Sequence, residues 1–445
     1  MQCRWYGLLL TVIFLQPSVA QEPGGGGGFR NEELRADTPS AAELRQFELM
    51  RTGNYPDPAT AEEMKADEYL KRLESPEAKN VMTKVINWMI YRLTWINVLE
   101  QRESSSSEIM EDLLGPARAV GVRITFGGSS GSKLFPPKDK PNDPVALVRY
   151  ERQMVFVQVT TPLIVNAARE VLQHQLPICR INGARILVRL ADFGRGEVVE
   201  PLLEIITRRD EHDAVRQWAV QGLGEMLAQY AAQGAFPNDK GGERFRKALQ
   251  VVLDWTESLM SIERPLDEGE QRAISFIRRH AIRALGNAQR PVIAEGQGNR
   301  QGPIASTLLL IVDGASRVQP RPTWSERVEA AVALCHLNPK LSPSYQPDYA
   351  AYRVANLIAE LGNDALNDPR RERERWRWFA AYLKSAIDQL AANTEGTPSA
   401  AYVREVVTRV QPVLEMLDSG KGPESARQLR TWLDGRAPTA TAIFK

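Results

Sequence analysis

The chain has 445 residues, 43% of them hydrophobic, enough to bury one large core or two moderate ones, which excludes disorder of the whole. Lys and Arg number 56 against 55 for Asp and Glu, so the summed positive field that a general nucleic-acid binder needs is missing. Three cysteines in so long a chain make no disulfide framework, and stability has to come from the core.

At the N-terminus Arg4 precedes an apolar stretch over residues 7–15, followed by Ser18 and Ala20 at the positions a signal peptidase reads. Residues 1–20 are therefore expected to be a cleavable signal peptide, cut after Ala20, with the mature protein secreted or periplasmic. The apolar run is roughly half of the ~20 residues that span a bilayer, which argues against an uncleaved anchor. Cys3 lies before the run and Gln21 follows the cut, so the lipid-modified cysteine of a lipoprotein is not in place. Cleavage leaves 445 − 20 = 425 residues and removes Arg4, giving 55 charges of each sign. Cys179 and Cys335 remain, expected as buried small apolar residues.

Residues 21–59 read as a flexible tether carrying five glycines, Gly24 to Gly28, and a short helix over 40–50, with the folded structure starting near residue 60. Residues 60–175 read as an N-terminal helical region. Its apolar segment 81–99 fits a soluble helix covered by neighbours, because a membrane-spanning reading has to bury Lys84 and Arg92 at about 2.5–3.5 kcal/mol each. Val120, Val122, Ile124 and Phe126 alternate, the best strand signal in the chain. The Gly/Ser/Pro/Lys-rich residues 127–142 after it look like a mobile surface insertion. Asp143 and Pro144 make a helix start, although Val155, Val157 and Val159 alternate and leave an extended segment open.

From 176 to 435 apolar helical segments recur between short polar breaks, ahead of a tail over 436–445. Arg216, Ala219, Leu223 and Gly224 recur at the same spacing as Arg278, Ala281, Leu285 and Gly286. A third copy, Arg327, Ala330 and Leu334, carries Cys335 in place of glycine, and a fourth, Ala184 and Val188, has Ile181 in place of arginine. Ala and Leu four apart share a helix face, and the small residue lets a neighbouring helix approach. With Pro201 in a preceding helix and Asp210 in the turn before Arg216, residues 198–227 resemble a HEAT repeat; the other copies lack the aspartate and are unevenly spaced. The resemblance covers about a third of the chain directly. It implies an α-solenoid, an all-α stack of antiparallel helix pairs, with at most a minor strand element in the N-terminal insertion. It also gives the aligned arginine a structural role: Arg216 bonded to the Asp210 carboxylate or across to the next repeat.

Chemistry-bearing motifs are weak. Gly127 to Gly131 matches G-x-S-x-G, but Ser129 is followed by Phe135-Pro136-Pro137 rather than by a helix, and no run of strands supplies triad partners. Lys133 has neither the glycine before it nor the hydroxyl residue after it that a phosphate loop needs. His174, His212, His280 and His336 lack partners at metal-site spacing, so no metal and no cofactor is expected. The run of Arg370, Arg371, Arg373, Arg375 and Arg377 with Trp376 and Trp378 does not fall on one helical stripe; its arginines read as solvated and its tryptophans as inward-facing.

The function expected is non-enzymatic: an exported scaffold binding a protein, acidic peptide or polyanion on its concave face, with no nucleic acid and no integral membrane segment after cleavage. The alternative is a hydrolase or carbohydrate-binding protein with its site in residues 60–175. Because Ala219, Leu223, Ala281 and Leu285 are committed to packing, the groove falls to Arg216, Gln217, Gln221, Arg278, Arg279, Arg283 and Arg327. Arginines dominate that set, so the groove reads as basic unless neighbouring carboxylates neutralise each one. Reversing Arg278, Arg279 and Arg283 to Glu is then expected to spare the fold.

Overall fold

The computed structural model describes residues 32–62, 64–95, 109, 112–113, 144–231, 242–296, 299–367, 373–420 and 422–445. The glycine tether, the strand expected at 120–126 and the insertion 127–142 with Ser129 lie outside them. The described helices are α1 (Ala41–Arg51), α2 (Pro58–Glu62), α3 (Ala66–Leu73), α4 (Pro76–Tyr91), α5 (Pro144–Val171), α6 (Pro177–Ala191), α7 (Val199–Thr207) and α8 (Asp213–Tyr230). They continue as α9 (Glu243–Ser258), α10 (Glu268–Asn287), α11 (Ile304–Val312), α12 (Trp324–His336), α13 (Pro347–Asn367), α14 (Arg373–Thr394), α15 (Ala400–Ser419) and α16 (Glu424–Gly435).

The N-terminal part is more tightly tied down than its composition suggests. Ser40 and Glu43 form a capping box that starts α1, and the Glu43 carboxylate also takes Lys84 Nζ of α4 at 3.0 Å. Phe47 and Met50 are buried, so the folded structure begins well before residue 60. The segment ahead of α1 is strapped to the turn after α4: Leu34 N–H donates to Thr94 Oγ1 at 2.9 Å, and Trp95 Nε1 donates to Leu34 O at 2.8 Å. That turn ends α4 at Tyr91, short of the expected 99.

Residues 144–171 are one helix, not an extended segment. Phe156, Val157, Thr160, Thr161, Ile164, Val165, Ala167 and Ala168 are buried at three- and four-residue spacing, and the valine alternation is incidental to it. The buried Thr160 and Thr161 hydroxyls donate to the carbonyls of Phe156 and Val157 one turn back. Pro162 is tolerated because it and Gln158 lie on the exposed side, where the carbonyl freed from the helix ladder meets water.

From α6 onward the helices stack in two layers. In one row α6, α8, α10, α12 and α14 each touch the next; α7, α9 and α11 cover that row, each packed on the helix that follows it, while α13 packs on α12 and on α15 and α16. α15 and α16 close the far end against α13, while α1, α3 and α4 close the near end against α5. This is the stacked antiparallel helix-pair architecture, around a contiguous core from Phe47 to Phe444. The last residues belong to it: Gln346 N–H donates to Ile443 O and Lys445 N–H to Ser344 O, both at 2.9 Å.

The small residues of the sequence repeat are where the row closes up. A Cβ on Gly224 would stand 3.1 Å from Ala284 Cβ, and one on Gly286 would stand 2.7 Å from Ala333 Cβ and 2.9 Å from Ala333 Cα. Side-chain amides tie the same interfaces: Gln229 Nε2 to Ala191 O at 2.7 Å, Asn287 Nδ2 to Gly224 O at 3.1 Å and Asn393 Nδ2 to His336 O at 3.2 Å.

One element has no sequence signal. β1 (Ala294–Gly296) and β2 (Asn299–Gln301) form an antiparallel hairpin with Ala294 opposite Gln301. None of its residues is β-branched or aromatic. Tertiary anchors hold it instead, Ile293 N–H on Gln301 O and Ser342 Oγ donating to Glu295 Oε2.

Candidate binding face

The aligned arginines share a structural task, the capping of helix ends, in addition to the pairing expected of them. Arg216 Nη2 donates to Arg208 O at 2.7 Å, Arg278 Nη1 to Leu259 O at 3.1 Å and Arg327 Nε to Val312 O at 2.8 Å. Those carbonyls lie at the C-terminal ends of α7, α9 and α11. A helix leaves its last carbonyls without intrahelical donors and its C-terminus partially negative, so a guanidinium from the next, antiparallel helix satisfies both. Arg216 pairs with Asp213 at 3.0 Å and not with Asp210, which is exposed. Pro201, Ala219, Leu223, Ala281 and Leu285 are buried.

Two of these arginines also reach along the stack. Arg278 Nε meets Glu326 Oε1 at 2.6 Å, with both side chains wholly buried, and Arg327 Nη2 meets Glu360 Oε2 at 2.6 Å. Glu326 is itself the third residue of α12 and forms with Thr323 the capping box that starts the helix. In α6 the same part falls to Arg180, one residue before Ile181: it pairs with the buried Glu211 at 2.8 Å and donates to His174 O and Gln175 O. Arg278 therefore offers a partner no surface, and the triple reversal expected to spare the fold sets a carboxylate at position 278 against Glu326 in the core. Gln217 is buried too, beside Gln221.

Of the seven groove residues, Gln217 and Arg278 are buried and Arg216 and Arg327 are turned to helix ends with side chains 18% and 12% exposed, which leaves Gln221, with Arg279 and Arg283 at 26% and 38%, as the accessible set. Arg279 Nη2 donates to Glu329 Oε1 at 3.2 Å, while Arg283 grips both oxygens of Glu329 through Nε and Nη2. Tyr382 of α14 donates its hydroxyl to Glu329 Oε2 at 3.0 Å; burial and the Glu329 charge push the phenol up to about 12 and keep that proton in place. The Arg279 guanidinium also sits 5.9 Å from the ring centre of Trp378, and Trp378 packs on Tyr382 at 5.1 Å. Side chains of α10 and α14 thus meet over α12, which lies buried beneath them from Val328 to Cys335; the surface that the three helices form is termed the trough.

Trp376 is buried as expected, but Trp378 is 43% exposed, and Phe276 of α10 is 36% exposed and packed edge-on against His280. Burial, with Arg283 and Arg279 adding to it, pushes His280 down to about 4, so its ring is neutral at pH 7. Glu329, Tyr382 and Phe276 escaped the sequence reading. The signal for Glu329 is its position as the single charged residue in Val328 to Cys335.

Further along the row Arg185 lies over the Trp218 ring at 5.3 Å. One helical turn past Gln221, burial, with Asp192 adding to it, lifts the Glu225 carboxyl to about 6. A carboxyl whose folded value exceeds its unfolded value of about 4.3 binds its proton more tightly when folded. Its burden on stability is absent well below the unfolded value, grows between about pH 4 and pH 6, and is full above the folded value. Glu225→Gln should therefore stabilise the protein by roughly 1–2 kcal/mol at pH 7.5 and by less than about 0.3 kcal/mol at pH 4, measured by urea unfolding at both.

Cys179 and Cys335 are buried free thiols, each pushed up to about 12 by burial. Among the described residues no group of three or more His, Cys, Asp or Glu side chains is arranged to hold a metal ion, and no helix is long and apolar enough to cross a membrane. Compared with protein-family models and with curated proteins, the chain matches none.

Proposed function

We propose that the chain is an exported, non-enzymatic scaffold of HEAT-like helix pairs that holds a partner on the trough between α10, α12 and α14. One observation carries this reading: the large exposed aromatics Phe276 and Trp378 stand on the two walls of the trough, beside two arginines gathered on one buried carboxylate. Exposed Trp and Arg are among the side chains that most often anchor interfaces. The arginine–glutamate pairs along the row support a preformed surface, since a partner then meets side chains already fixed in place. Export rests on the signal-peptide pattern of residues 1–20, which sets the mature N-terminus at Gln21.

The experiment is affinity purification from the exported fraction with wild-type protein and with Phe276→Ala/Trp378→Ala. The expected result is a co-purifying partner that is lost from the double variant, while circular dichroism is unchanged because both side chains are partly in water. A partner retained equally by the double variant would move the binding face elsewhere.

A further inference from the structure

We propose that the trough takes an extended acidic peptide segment of a partner protein, its carboxylates on Arg279 and Arg283 and its apolar side chains on Trp378 and Phe276. The inference rests on the reading of this face as the binding face and adds the chemistry of the occupant. Charge is the first argument. Arg279 and Arg283 share the single carboxylate of Glu329, and the Tyr382 and His280 side chains beside them are neutral, which leaves the cluster one positive charge in excess. Donor capacity is the second. Of the five N–H bonds on a guanidinium, Arg279 engages Nη2 with Glu329 among the described residues, and its side chain is 26% exposed, so its remaining Nη N–H bonds can meet an incoming carboxylate.

The aromatic rims and the dimensions decide between a peptide and a polyanion. A single excess charge is too little for a phosphate or sulfate chain, whose affinity comes from many neutralised charges. Two exposed aromatic rings on opposite walls instead suit a ligand that alternates carboxylates with apolar side chains. Neighbouring packed helices stand about 8–10 Å apart, so α10 and α14 across α12 are about 16–20 Å apart. An extended peptide rises about 3.3 Å per residue, so five or six residues lying over the joined side chains span the face from α10 to α14.

The test uses the mature protein and three blocked hexapeptides, alternating leucine with glutamate, glutamine or lysine, titrated by calorimetry. The glutamate peptide is expected to bind about tenfold or more tighter than the glutamine peptide, as loss of a charge-assisted hydrogen bond allows, with the lysine peptide not binding. Arg279→Gln, which leaves Arg283 on Glu329, and Trp378→Ala should each weaken the glutamate peptide about tenfold without lowering the melting temperature. Arg246→Gln on α9 should leave it unchanged. Equal affinity for the glutamate and glutamine peptides, no binding of either, or full affinity of Arg279→Gln would overturn the inference. Hexathymidylate bound as tightly as the glutamate peptide would overturn it in favour of a polyanion. If the peptides fail while Phe276→Ala/Trp378→Ala still loses the co-purified partner, the acidic-peptide inference falls and the binding face stands; if both fail, both fall.

Discussion

Replacing Arg278 with Met should cost about 3–5 kcal/mol of stability, the largest effect of any single polar substitution in the row. The side chain is wholly buried and makes three hydrogen bonds, to the Glu326 carboxylate and to the carbonyls of Leu259 and Pro320. Methionine fills most of the volume but leaves Glu326 as a buried carboxylate without its counter-ion, along with two carbonyls short of a donor. Adding Glu326→Gln removes the orphan charge and keeps an oxygen for the Thr323 cap, so the double variant should recover part of the loss. The deficit that stays, on the order of 1–3 kcal/mol, belongs to the carbonyls. The exposed pair of Arg272 and Glu268 is the control, because solvent screens it: Arg272→Met should change stability by less than about 0.5 kcal/mol. Denaturant unfolding followed by circular dichroism measures all three. An Arg278→Met loss no larger than the Arg272→Met loss would show that the buried pair does not hold α10 to α12.

Gly286→Ala should destabilise as well, although alanine is the better helix former by about 1 kcal/mol. The added methyl meets Ala333 at both Cβ and Cα, and a backbone atom cannot rotate away as a flexible side chain does. The two helices have to separate, opening the packing on either side, and the expected net loss is about 1–3 kcal/mol. Gly435→Ala meets nothing within 4 Å and should be neutral or slightly stabilising. A stabilised Gly286→Ala would show that the close approach of α10 and α12 is not required.

The sequence made the row legible through this same glycine. Ala281, Leu285 and Gly286 repeat the spacing of Ala219, Leu223 and Gly224, and small residues at helical spacing signal a close neighbour whatever the rest of the fold. What a long side chain reaches was not legible. An alignment places Arg216, Arg278 and Arg327 at one helical phase, but a guanidinium extends several Å and its partners come from helices remote in sequence. Glu326 is 48 residues from Arg278, and the carbonyls the arginines cap belong to turns that the alignment does not reach. Arg180 shows the limit in a single case, since the copy in α6 lacked an arginine at the aligned position while the next residue back supplied one. The hairpin at 294–301 was invisible for a related reason: its pairing is imposed by Ile293 and Ser342, not by strand-forming residues. On the candidate face, Arg279, Arg283 and Gln221 were legible as positions left over after packing, whereas the part played by Glu329 depends on three helices meeting.

Photo-crosslinking reads directly whether a partner sits on the trough or on the outer layer. Benzoylphenylalanine placed at Phe276 or Trp378, and for comparison at the exposed Lys247 of α9, would be irradiated in the exported fraction and its adducts identified by mass. A shared adduct from positions 276 and 378 and none from 247 is expected. An adduct from 247 with none from 276 or 378 would put the partner on the outer layer and overturn the binding face.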